Sequence, residues 1–208
     1  MLSFCRAFIV AQTPAQNRSL INLADRAGFG LIGTVLGERR VAIEAARREI
    51  AFFLVHHQIP DAAKLAVLER IRQSSDDAIR YAPVCLIIND CPFETVLKYV
   101  EFGFDDIVTL PERRDALVGR LLGQLDTPHI YIETTDYLGP DRRRMEVATH
   151  HRDERRRGDE GFLRLTVHRS VEGGVRIVRR ELVGRQTRSV FDPIRQRAIG
   201  DAPLAVRA

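Results

Sequence analysis

The chain predicts an α/β fold: a doubly wound, five-stranded parallel sheet with helices on both faces, followed by a basic C-terminal extension containing a β-hairpin. Three observations point there. Short apolar runs alternate five times with amphipathic helical stretches, the pattern of parallel strands joined by crossover helices. The run at 51–55, Ala-Phe-Phe-Leu-Val, is apolar without a break, as a central strand covered on both faces requires. The charge also divides: residues 139–208 hold 17 arginines, no lysine and 10 acids, a net +7, which leaves −3 of the total +4 for the residues before them.

In the first unit, the run 8–11 is followed by Pro14 and a helical stretch in which Leu20, Leu23, Ala24 and Ala27 share a face. Gly28 and Gly30 fall where that helix ends, and with Gly33 they lack the spacing and the lysine of a phosphate loop, so helix termination explains them. Residues 31–36 predict the second strand, and a weaker stripe of Val41, Ala45 and Arg48 predicts a helix over 39–50. The third strand, 51–55, runs out at His56-His57-Gln58-Ile59-Pro60-Asp61, and a helix over 62–73 turns Leu65, Leu68 and Ile71 inward. Residues 84–88 form the fourth strand. A helix over 92–102 aligns Phe93, Val96, Leu97 and Val100 and stops at Gly103. Residues 107–110 close the sheet, and a helix over 114–125 carries the clearest stripe, Leu117, Leu121 and Leu125 beside Val118 and Leu122.

Composition changes beyond Asp126. Residues 1–126 are expected to form the α/β domain and 127–160 a charged linker with little to bury. Residues 161–208 are expected to form the basic extension, in which apolar and basic residues alternate around Glu172-Gly173-Gly174 and predict a hairpin over 162–182. No apolar run approaches the ~20 residues of a membrane span, and 7–11 is too short for a secretory signal. Cys5, Cys85 and Cys91 are few, odd in number and set among apolar residues, which fits reduced thiols and a cytoplasmic location better than a disulfide scaffold. No cysteine or histidine pair has zinc-ligand spacing, so no metal site and no cofactor are expected.

Taken together, the five units over about 125 residues and several local motifs resemble the receiver domain of two-component response regulators, whose sheet has the flavodoxin-like strand order. Gln58-Ile59-Pro60-Asp61 is similar to the loop after the receiver's third strand, and Val96-Leu97-Lys98-Tyr99-Val100-Glu101-Phe102-Gly103-Phe104-Asp105-Asp106 to the end of its fourth helix. Pro111 stands where receivers carry a cis proline, and Pro14 suits the turn after the first strand. The Tyr-Leu-Gly-Pro-Asp-Arg-Arg-Arg stretch at 137–144 is similar to one that trails some stand-alone receivers.

Receivers transfer a phosphoryl group to an aspartate, which takes acids to hold magnesium, a hydroxyl, and a lysine to meet the phosphoryl oxygens. The resemblance maps the acid pair to Ala11 and Gln12, the phosphoacceptor to His56, the hydroxyl to Ile88 (or Asn89 after a one-residue slip) and the lysine to Leu110. The aromatic of strand five that reports phosphorylation maps to Ile107. These residues make a degenerate pocket with no catalytic residue, and the chain is expected not to be an enzyme. The face of helix four, strand five and helix five, where receivers dimerise or meet partners, carries Lys98, Glu101, Asp105, Asp106, Arg113 and Arg120, charges of both signs suited to setting register across a homodimer.

The function this implies is a phosphorylation-independent signalling adaptor acting on protein partners. The alternative is a nucleic-acid-binding regulator using the tail arginines Arg142, Arg143, Arg144, Arg155, Arg156 and Arg157, whose guanidinium forks suit phosphates, although acids are interleaved with them and no helix-turn-helix is recognisable.

Overall fold

The computed structural model describes residues 1–34, 50–141 and 161–184. Five parallel strands form the main sheet in the order β2-β1-β3-β4-β5: β1 (Cys5–Val10), β2 (Leu31–Thr34), β3 (Ile50–His56), β4 (Val84–Asn89) and β5 (Asp106–Leu110). The expected α/β class and doubly wound order are therefore present. The helix expected over 39–50 lies outside the described residues except at Ile50, which is instead the buried first residue of β3.

Alternation along the strands divides the core between two faces. Ala7, Ile9, Phe52, Leu54, Ile87 and Val108 pack under α1 (Pro14–Ala27) and α5 (Arg114–Leu122). Phe8, Phe53, Val55, Leu86, Ile88 and Ile107 pack under α2 (Asp61–Arg72), the one-turn α3 (Asp77–Arg80) and α4 (Phe93–Phe102). Thr13 starts α1 with a capping box: its hydroxyl accepts from the Gln16 N–H while the Gln16 side chain accepts from the N–H of Thr13. Gly28 and Gly103 end α1 and α4 at φ of 90° and 105°, a backbone region that side-chain-bearing residues rarely adopt. The Leu110–Pro111 peptide is cis.

Two helices sit differently from the sequence expectation. In α2 the inward stripe is Lys64, Leu68 and Ile71, and Leu65, one position round the helix from Lys64, is 44% exposed. No residue of α4 is fully buried, and Phe93, at its first position, is 67% exposed.

The described part of the linker expected over 127–160, up to residue 141, requires correction, and residues 142–160 lie outside the described residues. Residues 128–133 form β6 (Pro128–Glu133) and 138–140 form β7 (Leu138–Pro140), which join β8 (Phe162–Ser170) and β9 (Gly174–Val183) in a second, antiparallel sheet of order β7-β6-β8-β9. The hairpin expected over 162–182 is the β8–β9 pair, with a bulge between Thr166 and Val167. Its partner β6 was hidden because Pro128, His129 and Glu133 bracket the short run Ile130-Tyr131-Ile132, and its one buried residue is the aromatic Tyr131, so no period-two apolar pattern marks it. This second sheet packs on the main domain through Tyr131, Leu165 and Val167, which form a small core with Tyr81.

Candidate functional site

The two ends of the parallel sheet contain the groups that bear on function. At the carboxyl end lie the five degenerate-pocket residues. Ala11 follows β1 and packs on the α1/α5 core, as does Leu110 at the end of β5, while Ile88 is buried in β4 on the opposite face. Gln12 is exposed, and its N–H donates to Gln16 Oε1 at 2.9 Å. Gln16 in turn reaches across to Gln58 Oε1 at 3.4 Å. His56 ends β3, stacks on His57 at 4.8 Å between ring centres, and accepts the Gln58 N–H at Nδ1.

Both imidazoles are held below the ordinary histidine value. For His56 the causes are partial burial, then the His57 and Lys64 charges; for His57 burial leads, opposed by its bond to the Ile87 carbonyl and supported by Lys64. Neutral rings are the result at physiological pH. Asn89, the alternative hydroxyl position, is exposed and pairs in register with Leu110. Asp61, the nearest carboxylate on α2, already accepts from Lys64 at 2.8 Å and Lys98 at 2.5 Å, and these bonds hold it below the usual aspartate range. Magnesium needs several anionic oxygens at short range. This donor set, amides, neutral imidazoles and a carboxylate neutralised by two ammoniums, does not fit it.

At the amino end of the sheet the chemistry reverses. Asp105, immediately before β5, has a side chain only 2% exposed. Its Oδ2 accepts from Arg72 at 2.6 Å and from the Val84 N–H at 2.8 Å, and its Oδ1 from Arg169 at 2.9 Å and the Tyr131 hydroxyl. Arg169 is completely buried; it also donates to the Tyr81 carbonyl at 2.8 Å, Gln124 Oε1 at 3.2 Å and the Tyr131 hydroxyl. Arg72, 5% exposed, caps the carbonyls of Arg80 and Ala82. Burial on its own would raise the Asp105 value, but Arg72 and Arg169 together outweigh it and the carboxyl stays below its ordinary range. Burial pushes the Tyr131 phenol up and leaves it a hydroxyl. This network joins α2, β5 and both sheets, and it fixes the C-terminal sheet under the amino end of the main one.

Asp105 was expected on a partner-binding face, and this is corrected: its carboxylate is spent inside the protein. The other five members of that face divide. Lys98 is tied to Asp61, and Arg120 pairs with Asp106 at 2.5 Å and donates to the Ile107 carbonyl at 2.8 Å. Glu101 and Arg113 are exposed. The tail arginines Arg142, Arg143, Arg144, Arg155, Arg156 and Arg157 lie outside the described residues. The network residues Arg72, Tyr131 and Arg169 were missed. One signal was present for Arg169: strand alternation puts it on the same face as Leu165 and Val167.

No family model matches the chain, and no curated protein matches it. Solved structures similar to it include the signal receiver domain of a signal transduction histidine kinase from Syntrophus aciditrophicus, at 23% identity over 59% of this chain and 92% of that one, with a TM-score of 0.43. A chemotaxis response regulator of Vibrio cholerae matches at 13% identity over 58% of this chain and 98% of that one, TM-score 0.43. A response regulator in red light signaling of R. palustris matches at 15% over 57% and 90%, TM-score 0.42. Among the described residues no helix is long and apolar enough to cross a membrane.

Proposed function

We propose that this protein is a receiver-like signalling adaptor that works without phosphorylation, through contact with protein partners, and that it performs no chemistry of its own. The observation that carries the reading is the carboxyl end of the sheet, where aliphatic, amide and neutral imidazole groups stand in place of the acids, hydroxyl and lysine of a phosphoryl-transfer site. The chain's two lysines, Lys64 and Lys98, are both engaged by Asp61, so neither is free to meet a phosphoryl group placed there. Phe93, the exposed apolar residue that opens α4, and the charges of that helix suit a protein contact, including one with a second copy. A cytoplasmic location belongs to the same proposal. The test is an NMR titration with magnesium and beryllofluoride, followed by mass spectrometry after incubation with acetyl phosphate. The expected outcome is no saturable shift at His56, Ile88 or Leu110 and no added phosphoryl mass. Tight beryllofluoride binding centred on His56 would overturn the reading.

A further inference from the structure

Where the two sheets' domains meet, a groove of about 680 Å³ runs between α2, the end of α4 and the β6–β7 turn. Its apolar wall is Leu65, Leu68, Phe102 and Leu138, of which Leu65 is substantially exposed. Its carboxylates are Glu69, Glu101, Glu133 and Asp136, against two guanidiniums, Arg72 and Arg80. Both guanidiniums are committed: Arg72 to Asp105 and to two carbonyls, Arg80 to Glu133 at 2.5 Å. Arg80 balances Glu133 and Arg72 balances Asp105, which leaves Glu69 and Asp136, neither with a cationic partner among the described residues, beside an apolar strip in a chain whose total charge is positive. The acids come from three separate elements, and among the described residues no three ligating side chains converge on a metal position.

We infer that this groove docks a basic, amphipathic segment of a partner protein, its apolar side chains against Leu65 and Phe102 and its lysines or arginines beside Glu69 and Asp136. An anionic ligand is disfavoured because every guanidinium in the wall already has its counter-charge. A hydrophobic ligand alone would desolvate Glu69 and Asp136 without supplying a counter-charge. A segment presenting both kinds of side chain satisfies both walls, and the groove exists only because the C-terminal sheet is fixed beside α2. That the ligand is a protein rests on the adaptor reading above; the sign and site of binding rest on the groove itself.

The experiment uses the full chain and a fluorescent synthetic helix of leucines and lysines, with a second peptide in which glutamates replace the lysines. Anisotropy is expected to show at least about tenfold tighter binding of the lysine peptide, and the double variant Glu69→Lys/Asp136→Lys is expected to lose about tenfold or more, since like charges are then apposed. Leu65→Asp tests the apolar wall and is expected to weaken binding to a similar degree. All three positions are exposed, so the variants fold. Asp115→Lys, on the exposed surface of α5, is the control and leaves binding unchanged. Equal binding of the two peptides, no binding of either, or an Asp115→Lys loss matching that of the groove variants overturns the inference. Adding magnesium and beryllofluoride to the same samples separates the two readings: a response there defeats the emptied pocket and leaves the peptide result standing on its own.

Discussion

At the carboxyl end of the parallel sheet the strands finish in Ala11, His56, Ile88 and Leu110 around exposed amides, whereas at the amino end Asp105, Arg72, Arg169 and Tyr131 form a dense charged network with almost no solvent contact. In α/β sheets of this order the carboxyl end is the usual ligand crevice, supplied with polar groups, and the amino end is structural. Here the polar investment lies at the structural end. The difference teaches that the most deeply buried charge of the described residues serves to attach a second sheet to the first.

The comparison is broken most directly at Arg169. Arg169→Met removes one of the two cations on Asp105 and leaves the Tyr81 carbonyl and Gln124 Oε1 without their donor. Unpairing a buried charge of this kind costs ~3–5 kcal/mol, read as a lowered urea midpoint. Asp105→Asn combined with Arg169→Met is expected to cost less than the sum of the single changes, because the second substitution removes the charge that the first stranded. A single-variant loss below ~1 kcal/mol would show that the second sheet is held by Leu165 and Val167 alone and that the network is incidental.

How much of this was legible in the sequence follows from the range over which each feature is encoded. The strand 51–55 and the stripe Leu20, Leu23, Ala24, Ala27 are local, so periodicity exposes them, and all four α1 residues are buried. The five expected pocket positions are encoded just as locally, each at or beside a strand end. The network is not. Arg169 meets Asp105 from 64 residues away, and Asp105 stands beside Asp106, an identical side chain with an ordinary surface pairing. Nothing local distinguishes the two aspartates. Only the alternation Leu165, Val167, Arg169 hinted that an arginine points inward, and the intervening polar strand β6 concealed what it would meet.

Acid sharpens the comparison. His129 in β6 is held down to about 4, first by burial and then by the Arg169 charge. Its folded value lies below the unfolded 6.5, so between those two pH values the unfolded chain takes up a proton that the folded one refuses, and stability falls as pH drops through the interval. Partial exposure reduces the full ~1.4 kcal/mol per unit, leaving a loss of about 1–2 kcal/mol that levels off below pH ~4. Asp105 continues the trend: its lowered value stabilises the fold above the ordinary aspartate range, and that contribution disappears as pH falls through its folded value. His56 and His57 bend the curve in the same sense at the other end, so the amino-end share is isolated by His129→Gln, which is expected to flatten chemical-denaturation stability between pH 6.5 and 4. An unchanged slope would place the acid sensitivity at the carboxyl end.

The smallest effect is expected at the pocket itself. His56→Asp replaces a partly exposed ring that stacks on His57 and accepts one backbone N–H, interactions worth together about 1 kcal/mol or less. The substitution restores the side chain that a receiver phosphorylates, yet Gln12 still offers no anionic oxygen, Leu110 no ammonium, and Asp61 remains occupied by two lysines. Urea denaturation should shift by no more than ~1 kcal/mol, and a magnesium titration followed by NMR should show no new saturable site. If magnesium did bind, one residue would separate this end of the sheet from a cation site, and its contrast with the amino end would reduce to a single side chain.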